Sequence, residues 1–152
     1  YTTLFRSREF YISGDAFVKD WIIKVRNDVP DAPVLVTAGG LLHYFEENKV
    51  ISLLRMIGQS GNMEVVFDTV NKKGMAMMQK KYMKQVGHAD AQMFFYVDAA
   101  KELAAKIRGN VKVIAEEPYY RYIPKNGLKL STKVSMAVSD QFKMVKMIHL
   151  KL

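Results

Sequence analysis

The chain predicts an α/β fold, one domain over residues 1–152 built round a mostly parallel sheet that closes on a C-terminal antiparallel strand pair. Three observations point there. Val34-Leu-Val-Thr-Ala38 is an apolar run of strand length without polar alternation, the pattern of a strand covered on both faces inside a parallel sheet. The run breaks into Gly39-Gly40 and then into a helix, the layout of a ligand-bearing strand end. Strand-like and helix-like segments alternate along the rest of the chain.

Glu9-Phe-Tyr-Ile-Ser13 reads as a short strand that stops at Gly14-Asp15, and residues 18–26 as a helix with Val18, Trp21, Ile22 and Val25 on one stripe. Pro30 and Pro33 mark a loop, since proline neither continues a helix nor lets its predecessor stay helical. After the strand at 34–38, Glu46 and Glu47 open a helix at the end where the dipole favours acids. Val50, Leu53, Leu54 and Ile57 form its buried stripe, and Gly58 or Gly61 ends it. Residues 63–68 form a second buried strand, which puts Asp68 at another carboxyl edge. Residues 73–86 are helical and carry Met75, Met77, Met78 and Met83, either core filling or the wall of an irregular pocket. Asp98 caps a helix over 99–107 that stops at Gly109-Asn110, and residues 111–115 form a strand. The tail from Phe142 to Leu152 mixes lysines with apolar residues, as edge strands do to discourage foreign pairing.

Composition narrows the function. A chain of 152 residues, 49% hydrophobic and 25% charged, supports one core. No apolar stretch approaches the roughly 20 residues of a membrane span, and no signal peptide pattern opens the chain, so a soluble cytoplasmic protein is expected. With no cysteine there is no thiol chemistry. His43, His88 and His149 lack the close spacing that metal ligands on one element require, and Glu116, Glu117 and Asp140 stand too far apart, so no metal is expected. The net charge of +8 invites nucleic acid, but the lysines are scattered and carry no binding motif, so no specific nucleic acid is expected.

Ile12-Ser-Gly-Asp15, Trp21-Ile22, Pro33 through Phe45, and Glu64-Val-Val-Phe-Asp68, in that order, resemble the leucine carboxyl methyltransferase and tetracenomycin O-methyltransferase group of class I S-adenosylmethionine enzymes. The tail from Tyr119 through Met147-Ile-His-Leu-Lys-Leu152 is similar to that group's closing strands. The resemblance implies a Rossmann-like methyltransferase sheet lacking its first two strands, present as a partial domain. It also implies S-adenosylmethionine as cofactor and a small-molecule carboxyl or hydroxyl acceptor. The glycine-rich turn and the ribose-binding acid of the family's first half have no counterpart, and no G-x-G occurs, so the chain alone is expected to be inactive. Unpaired strand edges would favour homo-oligomers.

The same resemblance assigns Gly14, Asp15 and Ala16 to the adenine, and Ala38, Gly39 and Gly40 to the methionine end of the cofactor. Many members carry glutamate where Gly39 stands here, so that carboxylate is missing. Read from spacing alone, Asp15 is a turn or cap residue and the glycine pair an ordinary tight turn. His43 is placed to act as general base for a hydroxyl acceptor, or else it is a packing residue; an ionised carboxylate acceptor needs no base. Tyr44, Met78, Tyr82 and Phe95, with Met93 and Phe94, would line an apolar acceptor cleft or equally fill a core. A non-catalytic assembly module and a basic nucleic-acid binder remain alternatives.

Overall fold

The computed structural model describes residues 11–82 and 92–152. Four strands form one sheet: β1 (Val34–Ala38), β2 (Met63–Val70), β3 (Lys112–Pro118) and β4 (Val145–Lys151), in the order β1-β2-β4-β3. β1 and β2 pair in parallel, with Ala38 beside Phe67, while β4 is antiparallel to both β2 and β3. Three strands thus run one way and β4 alone is reversed, a mixed α/β sheet that is mostly parallel in strand direction.

Helices α1 (Asp20–Asp28), α2 (Glu47–Gly58), α3 (Lys72–Met77), α4 (Ala100–Ile107) and α5 (Leu130–Gln141) connect the strands. The buried stripe of α2, Val50, Leu53, Leu54 and Ile57, lies where its three-and-four spacing predicts. It meets Val65, Phe67, Ile148 and Leu150 from the sheet and Ala100, Leu103 and Ile107 from α4 in one continuous core. Each of these aliphatic side chains stabilises the fold by about 1.5–3 kcal/mol on full burial.

Several expectations change on contact with the structure. Residues 9 and 10 lie outside the described residues, and Tyr11 to Ser13 are not in a strand. Covering of β1 is one-sided: Val34, Val36 and Ala38 turn toward the core, while Leu35 is 57% exposed and Thr37 is exposed too. The apolar run therefore marks a surface left open among the described residues, not a second buried face. Between Gly40 and α2 stands a 3-10 turn, Leu42–Tyr44, so the helix does not follow the glycines at once.

The lysine-rich tail predicts an edge strand, but β4 is interior, flanked by β2 and β3. The reason is local chemistry. Lys146 is 1% exposed, and its ammonium lies 2.7 Å from Glu116 Oε1 and 2.7 Å from the Asp98 carbonyl, so the charge is paired inside the sheet instead of facing water. Asp98, expected to cap α4, spends Oδ1 on the Lys72 amide at the start of α3, 3.0 Å away. The first amide of α4, Ala100, donates instead to Glu116 Oε2 at 3.1 Å. One glutamate on β3 thus holds both a helix start and a buried cation.

Tyr119 through Leu152 was expected as closing strands, and α5 interrupts them. Its apolar residues Leu130, Val134 and Val138 face outward, and only Met136 and Ser139 are buried. The spacing of four is helical, but the face it marks is the exposed one, so it does not show which side of α5 meets the sheet.

Candidate functional site

The loop before α1 is held from both sides. Asp15 Oδ1 accepts from the Phe17 amide at 2.9 Å, closing a local turn, and Trp21 Nε1 donates to the Ala16 carbonyl at 2.9 Å. The Phe17 ring stands edge-on to Phe45, centroids 4.6 Å apart, with Lys49 Nζ over both rings at 4.5 and 5.3 Å. These contacts fix Gly14–Phe17 against the start of α2.

The loop and the end of β1 share one cavity of about 290 Å³. Ile12, Gly14 and Ala16 supply one wall and Val36, Thr37 and Ala38 another, with Trp21, Leu42, Leu54, Ile57 and Val65 behind them. A Cβ built at Gly14 or Gly39 would meet no atom within 4 Å, so the space beside both glycines is open. Three of the six residues assigned to the cofactor thus line a common hollow, while Asp15, Gly39 and Gly40 flank it without lining it.

At the strand end, Gly40 adopts φ of +64°, a left-handed conformation that glycine reaches without strain. Its amide donates to Asp68 Oδ1 at 2.6 Å, tying the turn after β1 to the neighbouring strand. Asp68 lies two residues before the end of β2, since the strand runs on to Val70 and not to 68. His43 follows in the 3-10 turn, 7% exposed, and its Nδ1 has no hydrogen-bond partner. Burial lowers its proton affinity and the Asp68 carboxylate partly restores it; the net shift is downward, so the imidazole is neutral at physiological pH. The His43 carbonyl takes the Phe94 amide at 2.8 Å, and the Val97 amide donates to Val70 at 2.9 Å, so residues 94–97 cross over the ends of β1 and β2.

The acceptor-lining set does not gather at the cavity. Phe95 is fully buried against Phe67, 6.5 Å between centroids, and Met93 is buried as well, which is the core reading of these residues. Tyr44 is exposed and stacked at a tilt on His43, 4.5 Å between centroids. Met78 is half-buried at the start of a π-helical turn, Met78–Tyr82; the side chain of Tyr82, together with Met83 and His88, lies outside the described residues. Phe94 lines a second hollow of about 220 Å³ with Glu47, Tyr96, Asp98 and Lys106, where Lys106 Nζ and Glu47 Oε1 pair at 2.6 Å. His149 pairs with Glu64, 2.7 Å from Nε2 to Oε2, and among the described residues no three His, Asp or Glu side chains gather as a metal site. The Asp68 contact to Gly40 escaped the sequence reading because it joins residues 28 apart; the acid at a strand end was its one visible signal.

The residues present suit one end of an adenosyl cofactor. The apolar cavity and the open glycines accommodate a flat apolar ring, with backbone groups of residues 14–16 at its rim. The resemblance gives no residue of this chain to the ribose, and at the methionine end it gives Ala38, Gly39 and Gly40, of which Ala38 lines the cavity.

No family model matches the chain, and no curated protein matches it. Among solved structures it is similar to a DUF574 family protein from Streptomyces avermitilis, with a TM-score of 0.60 at 10% identity. The match covers 93% of this chain and 54% of that one, so the chain spans about half the length of the structure it resembles. At that identity the likeness establishes the fold.

Proposed function

We propose that this chain is part of an S-adenosylmethionine-dependent O-methyltransferase domain acting on a small-molecule carboxyl or hydroxyl acceptor. The observation that carries the reading is the shared cavity: Gly14 and Ala16 on one side and Ala38 on the other, the positions that the resemblance pairs across a cofactor, line the same hollow at the carboxyl edge of β1. When bound, S-adenosylmethionine supplies a methyl group on a sulfonium, which the acceptor oxygen takes.

The chain's own part is positioning. The loop pinned by Trp21 and Phe17 and the strand end pinned by Asp68 fix two walls, and near-attack alignment is worth several kcal/mol to a methyl transfer. For a hydroxyl acceptor the proton would pass to His43 Nδ1, which is neutral and unpartnered but buried. Burial of that base favours an acceptor already ionised, a carboxylate, which gives up no proton. Homo-oligomers joined through the edge of β1, unpaired among the described residues, belong to the same reading.

The test is a titration of the isotope-labelled chain with S-adenosylhomocysteine to millimolar concentration. Amide shifts confined to residues 14–17 and 38–43 are expected, with weak affinity. Shifts confined elsewhere, or none at all, would overturn the assignment.

A further inference from the structure

Asp68 is a charged side chain on β2, outside the hydrophobic core, and its neighbours Val66 and, across the ladder, Met147 offer it no hydrogen bond. Instead Oδ1 reaches sideways to the turn after β1 and takes the Gly40 amide at 2.6 Å, a short charge-assisted bond. The Gly40 backbone is left-handed, and the bond holds β1's exit to β2 just beyond the ladder, since the β1–β2 register ends at Ala38 and Phe67. Three residues on, the His43 ring is buried with an unpartnered Nδ1, and Asp68 is the charged group that acts on it.

We propose that Asp68 is a positioning residue of the strand-end crevice, holding the Gly39–Gly40 turn in place beside the cavity and presenting a negative charge to the His43 side of it. The inference rests on the proposed function only for what the crevice binds; the geometry stands without a ligand. The bond takes up the Gly40 amide and sets a carboxylate beside the turn, so this end of the crevice suits a ligand group that is cationic or donates hydrogen bonds.

Two variants separate the bond from the charge. Asp68→Asn keeps an acceptor oxygen and removes the charge; Asp68→Ala removes both. In the unliganded chain, hydrogen exchange of the Gly40 amide should speed by on the order of tenfold or more in D68A and less in D68N. The His43 titration, followed by NMR, should move to lower pH in both, because the group that raised its proton affinity has been neutralised. Unchanged Gly40 exchange in D68A, or an unchanged His43 titration in D68N, overturns the proposal. Should D68A fail to fold, D68N alone still reads the charge. With S-adenosylhomocysteine added, shifts at residues 39–43 should weaken in D68A while those at 14–17 persist. If no ligand shifts occur in the wild-type chain but the exchange and titration results hold, the proposed function fails and the positioning role of Asp68 stands.

Discussion

At the scale of single residues, Lys146 and Glu116 show how one buried pair sets local geometry. Burial by itself would raise the proton affinity of Glu116, but the Lys146 hydrogen bond, the Ala100 amide and the Lys146 and Lys143 charges outweigh it and leave it lowered. A carboxyl lowered on folding stabilises the native state above its ordinary pKa, and that contribution disappears as pH falls through the folded value. His43 is lowered too, so it also stabilises above its ordinary value of about 6.5 and loses that contribution on acidification. Urea midpoints measured across pH should therefore fall in two stages, the first below about 6.5 and the second in the acidic range, with Glu116→Gln removing the second. Lys146→Met should cost about 3–5 kcal/mol in urea titration, since it leaves a carboxylate without its cation. The amino-acid types were visible in the sequence, but the pairing was not. A lysine in an alternating strand has the same signature whether it meets water or a glutamate from 30 residues away.

At the scale of elements, joints carry the constraints that periodicity cannot show. A Cβ at Gly74 would sit 2.3 Å from the Met144 carbonyl oxygen, because α3 packs directly on the backbone entering β4. Asn71 fastens the same joint, its Oδ1 accepting from Gly74 at 2.8 Å and its Nδ2 donating to Phe142 at 3.0 Å. Gly74→Ala should destabilise by about 1–3 kcal/mol by thermal or urea unfolding, even though alanine is the better helix former by about 1 kcal/mol. Arg26 at the end of α1 is a second joint, donating to the carbonyls of Ser60 at 2.7 Å, Ala32 at 2.7 Å and Gly61 at 3.0 Å. Only the planar fork reaches all three, so Arg26→Lys should lose most of the stability that Arg26→Ala loses, about 1.5–3 kcal/mol in the same assay. The elements most legible in the sequence, α2 and β2, are those whose apolar spacing matches a buried face, whereas the unbroken run of β1 gives the strand but not its open face. Helix α5 turns its apolar spacing to solvent, so the stripe does not mark its packed side, and the substrate-lining residues are ambiguous because Phe95 in a cleft and Phe95 in a core look alike until its neighbour Phe67 is known.

At the scale of the whole molecule, the two sheet edges differ. β3 carries Lys112, a register shift between Val113 and Ala115, and Pro118, each of which obstructs a further strand. β1 carries none of these, and Leu35 and Thr37 stand exposed along it. Concentration-dependent association is therefore expected in sedimentation equilibrium, and Thr37→Lys should hold the chain near its monomer mass of 17.4 kDa. An unchanged association in that variant would place the contact elsewhere.

The reversed position of β4 also has a consequence for how the chain is made. Among the described strands β3 joins the sheet through β4, which the ribosome synthesises after it, so the emerging polypeptide holds β3 without its ladder partner until translation has passed residue 151. The parallel pair of β1 and β2 can form before then, whereas β3 waits, exposed in that interval to capture by a chaperone.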